Sequence, residues 1–258
     1  MTGRAVVITG AGSGIGAALA RRLGAAGDRL VLNDLDPAAV SAVAAEIGAL
    51  AVPGNAASED GVQDLIERAR DELGAIDIFF ANAGIGVQGG PEAPEDGWQR
   101  SWDVNVMAHV RAARLLVPDW LTAGRGHFVA TVSAAGLLTM PGSAPYSVTK
   151  HAALAFAEWM SVTYGHRGIT VQALCPQGVR TPMLEASGPV GALVLAPDAI
   201  DADQLADVVF TSLDDGGFLI LPHPEVAGYY AGRAADPDAW LARMQRGQDR
   251  IDAALGTD

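Results

Sequence analysis

Thr9-Gly10-Ala11-Gly12-Ser13-Gly14-Ile15-Gly16 decides how this chain folds. It follows the apolar run Ala5–Thr9, which reads as a buried strand, and opens an amphipathic segment near Gly14–Ala26 that reads as a helix. A strand that turns into a helix over closely spaced glycines brings backbone amides to a helix N-terminus with no Cβ in the way. That geometry suits a pyrophosphate. In a chain with 31 glycines, such a turn alone could also be a tight connection without a ligand. Its position after the first strand favours a dinucleotide site. A P-loop is excluded, because the glycines do not end in Gly-Lys-Ser/Thr.

Outward from this turn, short apolar runs alternate with amphipathic segments, the pattern of β-α-β units and a parallel sheet covered on both faces. Strands are expected near Ala5–Thr9, Leu30–Asn33, Ala49–Pro53, Ile76–Ala81, Gly126–Val132, Ile169–Leu174 and Phe218–Leu221. Helices are expected near Gly14–Ala26, Pro37–Ile47, Glu59–Leu73, Trp98–Leu121, Tyr146–Tyr164 and Ala202–Leu213. The fold class is therefore α/β, a single doubly wound Rossmann-type domain over residues 1–258 with a seven-stranded, mostly parallel sheet. No linker, charge run or internal repeat divides it. Residues 183–200 are apolar yet broken by Gly188, Pro189, Gly191 and Pro197, as a substrate lid would be. Residues 224–258 form a C-terminal extension, in which Trp240, Leu241, Met244, Ile251 and Leu255 recur as one face of a final helix.

Composition narrows the partners. The chain of 258 residues carries a formal charge of -13, which argues against sequence-independent nucleic-acid binding and against an anionic membrane surface. No apolar stretch reaches the roughly 18 residues a membrane helix needs, and the first residues lack a secretory pattern. One cysteine forms no intrachain disulfide, which fits a cytoplasmic setting. A small-molecule partner is expected. The five histidines (His109, His127, His151, His166, His223) show no metal-ligand spacing, so no metal is expected.

The second strand ends in Asn33-Asp34, at the distance where a carboxylate can accept hydrogen bonds from adenosine ribose hydroxyls. Such a carboxylate repels a 2′-phosphate, and the neighbouring Leu35 supplies no cation to receive one. NAD rather than NADP follows. Asp34 can also be read as a turn aspartate before Asp36-Pro37.

Of the 17 basic residues sixteen are arginine, and the one lysine, Lys150, stands four residues after Tyr146. A pair at i and i+4 shares a helix face, so the ammonium can stand beside the phenol. Tyrosine ordinarily titrates near 10, and a base poised near 7 needs about 4 kcal/mol of preferential phenolate stabilisation. An exposed ion pair gives less. A partly desolvated lysine together with a positively charged nicotinamide would suffice. Tyr229 and Arg233 have the same spacing and read as structural.

Thr9-Gly10-x-x-x-Gly14-x-Gly16, Asn82-Ala83-Gly84, Asn105, Ser133 and Tyr146-x-x-x-Lys150 together resemble the short-chain dehydrogenase/reductases, in their compact branch of about 250 residues. The resemblance covers residues 4–221. The larger epimerase branch spaces its glycines differently. The resemblance implies that Tyr146 exchanges a proton with the substrate, Ser133 holds the substrate oxygen, with Ser143 a weaker candidate, and Lys150 also binds the nicotinamide ribose. Asn105 would help hold a water that connects Lys150 to solvent. Gly10, Ser13, Gly14, Ile15 and Gly16 would cradle the pyrophosphate. Asn82, Ala83 and Gly84 would line the adenosine side, with Asn82 tying neighbouring strands together. Asn55, with Ala56, would contact adenine where the family usually has aspartate. Pro176, Val179 and Thr181 would flank the nicotinamide. Gln177 stands where the family has glycine, which bears on the geometry of that loop.

These readings converge on an NAD-dependent oxidoreductase that interconverts a secondary alcohol and its ketone, with an apolar lid suited to a neutral, hydrophobic substrate. Relatives of this kind assemble as homodimers or homotetramers. The competing reading, a non-catalytic dinucleotide sensor on the same fold, would be marked by loss of Tyr or Lys from the pair.

Overall fold

In the computed structural model, which describes residues 3–256, every side chain of β1 (Ala5–Thr9) is buried, as a central strand covered on both faces requires. The outer ends of the expected domain and tail, residues 1, 2, 257 and 258, lie outside the described residues. The first half of the chain continues as α1 (Gly14–Ala25), β2 (Arg29–Asp34), α2 (Pro37–Ile47), β3 (Leu50–Pro53), α3 (Glu59–Leu73) and β4 (Ile78–Ala81). Then come α4 (Glu95–Trp102), a π-helical turn (Asp103–Met107), α5 (Ala108–Ala123), β5 (Gly126–Thr131), α6 (Ala135–Leu138), α7 (Ala144–Tyr164) and β6 (Ile169–Leu174). The last part comprises β7 (Val179–Arg180), α8 (Pro182–Glu185), α9 (Gly188–Val194), β8 (Ile200–Asp201), α10 (Ala202–Ser212), β9 (Leu219–Ile220), α11 (Glu225–Ala235) and α12 (Pro237–Leu255).

Seven strands form one sheet in the order β3-β2-β1-β4-β5-β6-β9, and each pairing is parallel. The order reverses between β1 and β4, which opens a crevice at the carboxyl ends of these strands. The period-two side-chain alternation splits the core. Val7, Val31, Phe79 and Phe128 pack with α3, α5 and α7 on one face. Val6, Ile8, Leu32, Phe80 and Val129 pack with α1, α2 and α10 on the other. Burying each large apolar side chain contributes roughly 1.5–3 kcal/mol, so the sheet is a rigid platform for whatever its edge carries. Among the described residues no helix is long and apolar enough to cross a membrane.

Three expectations are corrected. The helix expected over Trp98–Leu121 is two helices joined by the π turn Asp103–Met107. The broken segment of residues 183–200, expected as a lid, contains most of α8 and all of α9, and its base is clamped where Val179 and Arg180 pair with Ile200 and Asp201. The extension holds two helices instead of one. Trp240 and Ile251 are buried, but Leu241 is 55% exposed, because α12 presents that position to solvent.

Candidate active site

The glycine turn is shaped by close approach. Gly10 and Gly14 have φ of +66° and +51°, a region side chains rarely adopt. A Cβ on Gly10 would stand 2.9 Å from the Cα of Ala83, and one on Gly16 would stand 2.1 Å from the carbonyl oxygen of Gly10. Ser13 caps α1 without a side-chain bond and is exposed, so the first amides of the helix are left to an anion. Ile15 packs against the core and anchors the turn. The residues present fit a pyrophosphate.

Asp34 closes this cradle at the end of β2. Its Oδ2 accepts from the Gly12 amide at 2.9 Å and its Oδ1 accepts from the Asp36 amide at 3.0 Å. The carboxylate is thereby fixed against the glycine turn. Leu35 beside it is 74% exposed. Asn82 ties three strands: its Nδ2 donates to the Thr9 carbonyl at 2.9 Å, and its Oδ1 accepts from Thr131 Oγ1 at 3.1 Å. Thr9 Oγ1 in turn accepts from the Asn82 and Ala83 amides. Asn55 is exposed, and its Oδ1 already accepts from the Ala57 amide at 3.0 Å, leaving one lone pair for a ligand. Ala56 is buried beside it.

The catalytic candidates converge at the end of β5. Tyr146 and Lys150 lie one turn apart on α7, with Lys150 Nζ 5.6 Å from the centre of the Tyr146 ring. Lys150 is 2% exposed, and its Nζ donates to the Thr131 carbonyl at 2.9 Å. Ser133, two residues beyond Thr131, accepts the Ala135 amide at its Oγ, donates to the Pro176 carbonyl at 3.4 Å, and lies close enough to the Tyr146 phenol to bear on its acidity. Asn105 is fully buried in the π turn. Its side chain exchanges two bonds with the Ile85 backbone, each 3.0 Å, and donates to Ser101 Oγ and Thr149 Oγ1. Gly84 is held between them, since a Cβ there would lie 3.3 Å from both Asn105 Oδ1 and Lys150 Nζ. Ser143 points its hydroxyl at the Val87 carbonyl, 2.6 Å away, and braces the neighbouring loops.

Charge at this site is governed by burial. Desolvation brings the Lys150 ammonium down to about 8. It pushes the buried Cys175 thiol up to about 12. The Tyr146 phenol is raised above its ordinary value by burial, with the Ser133 hydrogen bond pulling the other way. This is opposite to the value near 7 expected of the base.

The loop after β6 completes the edge. The Pro176 carbonyl accepts the Ala134 amide at 2.8 Å. Thr181 caps α8, and its methyl group faces Gly14, where a Cβ would approach to 3.0 Å. Val179 is buried in the small β7–β8 pair. Gln177 fits without backbone strain, because Thr139 is the only non-glycine among the described residues with positive φ. Its side chain donates to Glu225 Oε1 at 2.5 Å. Residues 183–200 meet the loop after β4 through Gln88 Nε2, which donates to the Ala186 carbonyl at 3.3 Å.

Sequence reasoning missed the partners that hold these groups. Thr131 acts through its backbone, which has no sequence signal, and Ser101 and Thr149 are polar positions on helices that only the packing brings to Asn105. Arg233, read as structural, donates to the Leu137 carbonyl and to His151 Nε2, and so ties α11 to the helix that carries Tyr146 and Lys150. Among the described residues no group of three His, Cys, Asp or Glu gathers as a metal site would.

The family model for short chain dehydrogenases matches residues 4–189. The chain belongs to that family. This dehydrogenase is 36% identical over 232 residues to a 1-deoxy-11-beta-hydroxypentalenate dehydrogenase of Streptomyces exfoliatus, covering 86% of this chain and 84% of the relative. It is 31% identical to a cyclohexanol dehydrogenase of Acinetobacter sp., covering 89% of this chain and 96% of that one. Among solved structures, a short-chain dehydrogenase/reductase from Burkholderia phymatum in complex with NAD superposes with a TM-score of 0.84 at 27% identity, over 92% of this chain and 95% of the other. One from Sphingobium yanoikuyae in complex with NADPH gives 0.80 at 27% identity, over 93% and 95%. The protein is an oxidoreductase with the seven-stranded α/β fold of its family.

Proposed function

We propose that this short-chain dehydrogenase uses NAD to interconvert a secondary alcohol and its ketone on a neutral, hydrophobic substrate. The observation that carries this reading is the meeting of Ser133, Tyr146 and Lys150 at the end of β5, beside a glycine turn held by the Asp34 carboxylate. The names of relatives, a cyclohexanol dehydrogenase and a meso-2,3-butanediol dehydrogenase, support the substrate class. Solved relatives hold NAD, NADH or NADPH. The preference for NAD therefore rests on Asp34, whose charge disfavours a 2′-phosphate, and on the apolar Leu35.

Bound NAD supplies the acceptor for hydride from the carbinol carbon. The other work falls to the chain. Ser133 Oγ donates to the substrate oxygen and fixes the carbinol against Tyr146. Tyr146 Oη takes the hydroxyl proton in oxidation and returns it in reduction. Lys150, held by the Thr131 carbonyl, places positive charge one turn from the phenol and has further N–H groups for the nicotinamide ribose. Asn105 holds the loop at Ile85 and Gly84 against that lysine. Gly10, Ser13, Gly14 and Gly16 carry the pyrophosphate, and Pro176, Val179 and Thr181 flank the nicotinamide.

Exposed apolar residues of the lid, Met183, Leu193 and Val194, support a hydrophobic substrate. Val148, Trp159 and Val162, exposed along α7, support assembly with a second copy as a homodimer or homotetramer. The buried single thiol of Cys175 supports a reducing, cytoplasmic setting. Mixing the protein with NAD and a panel of hydrophobic secondary alcohols should produce the absorbance of reduced cofactor. Intact NAD binding with no turnover across the panel would favour the sensor instead.

A further inference from the structure

Thr139 is the only non-glycine among the described residues with positive φ, at +88°, and it lies midway along the segment from Ser133 to Tyr146. A β-branched residue in that region is strained, and its side chain is exposed, so no packing of its own offsets the strain. Such a conformation persists only where the surroundings over-determine it, and it collects at functional sites. The chain is held on both sides of Thr139. After it, the buried Ser147 hydroxyl accepts from the Met140 amide at 2.9 Å and donates to the Met140 carbonyl at 3.2 Å. Before it, the Leu137 carbonyl near the end of α6 accepts from Arg233 Nη1.

The two holds are joined. The same Nη1 of Arg233 reaches His151 Nε2 at 3.0 Å. A guanidinium only donates, so Nε2 accepts and the ring proton lies on Nδ1, which donates to the Ser147 carbonyl at 2.9 Å. The bonds therefore close a ring from Arg233 through Leu137, Thr139, Met140, Ser147 and His151 back to Arg233. This ring spans the gap between the reacting groups. α6 begins two residues after Ser133, whose Oγ accepts the Ala135 amide at 3.1 Å, and Ser147 and His151 directly follow Tyr146 and Lys150 on α7. α11, which carries Arg233, is anchored in the core by Val226 and by the partly buried Tyr230, so the guanidinium acts from a fixed base.

We infer that Arg233 is a positioning residue for catalysis: it holds the strained turn at Thr139 and thereby sets the Ser133 hydroxyl against the Tyr146 phenol. The inference rests on the roles read above for Ser133 and Tyr146. Glycine takes positive φ freely, so a turn with glycine at 139 needs no such hold. That difference separates positioning from a plain contribution of Arg233 to stability.

The test measures kcat for cyclohexanol at saturating NAD in the wild type, Arg233→Met, Thr139→Gly and the double variant. Arg233→Met should lower kcat by about tenfold or more, as a small displacement of reacting groups does, with the Kd of NAD unchanged. In the Thr139→Gly background the same change should cost only about twofold, the spread found for uncoupled sites. The Met140 amide should exchange with solvent faster in Arg233→Met and slow again in the double variant. Should Arg233→Met not fold, Arg233→Lys in both backgrounds carries the same comparison, since lysine keeps the charge and lacks the fork. An equal loss of kcat in both backgrounds, or full kcat in Arg233→Met, overturns this inference alone. No turnover of cyclohexanol by the wild type with NAD bound overturns the reading of Ser133 and Tyr146 and this inference with it.

Discussion

The ammonium of Lys150 donates to the carbonyl oxygen of Thr131 at 2.9 Å, a bond between the helix of Tyr146 and Lys150 and the strand that leads to Ser133. This contact fixes the charge in a buried place, and the planar arginine fork is no equivalent of a compact ammonium there. Lys150→Met should lower kcat by about a hundredfold or more, and Lys150→Arg should not restore it. Steady-state kinetics with saturating NAD checks this, and full activity in Lys150→Arg would show that a point charge is not required.

Burial raises the Tyr146 phenol above its ordinary value, so the base role proposed for it calls for a lowering by the positive ring of a bound nicotinamide. The ultraviolet signature of its ionisation should move to lower pH when NAD is added. Tyr146→Phe should remove that signal and lower kcat by about a thousandfold while leaving NAD affinity largely intact. Coincident titrations with and without NAD would mean that the cofactor does not tune the phenol.

Asp34 accepts the Gly12 amide and, on the reading proposed above, also supplies the charge beside the adenosine ribose. Asp34→Ser combined with Leu35→Arg should move the kcat/KM ratio toward NADP by about tenfold or more, since it removes a repulsion and adds a cation. Overall activity should fall as well, because serine holds the Gly12 amide less well. An unchanged ratio would place cofactor selection elsewhere.

The parts of the site legible in sequence are those whose chemistry depends on neighbours along the chain. Gly10 to Gly16, Asp34 after its strand and the Tyr146–Lys150 turn all follow from local periodicity and spacing. The π turn at Asp103–Met107 was hidden, because the apolar pattern runs through it. It accompanies the bonds between the Asn105 side chain and the Ile85 backbone, twenty residues earlier in the chain. The raised phenol was hidden for a related reason: burial is set by the whole fold, while the lysine four residues away is visible in the sequence. Gln177 looked like a departure from the pattern, and only the C-terminal extension, which brings Glu225 and His223 to it, shows what it holds.

Trp159 is 54% and Val162 81% exposed on the outer face of α7. Apolar surface of this kind is better covered by a second copy than by water. Trp159→Glu should shift the protein toward monomer in sedimentation velocity, because a charge in an apolar contact is costly. A wild type that is monomeric at high concentration would remove the basis for this expectation.

His109 is buried, and desolvation lowers its pKa from about 6.5 to about 3. Between these values the unfolded chain binds a proton that the folded chain refuses, so stability falls as pH drops from about 6.5 and the loss saturates near 3, on the order of a few kcal/mol. Phenylalanine removes both unpaired nitrogens, keeps an aromatic edge against Phe128, and can use the small cavity beside Thr9, Ala56 and Ala83. His109→Phe should therefore match or exceed the wild type in melting temperature at pH 5, and the gap between the two should narrow toward pH 7.5. Carboxylate titrations are common to both proteins and cancel in the difference. Melting curves that run parallel from pH 4 to 7.5 would show that His109 accepts its proton in the folded chain and that the cavity beside it is not dry.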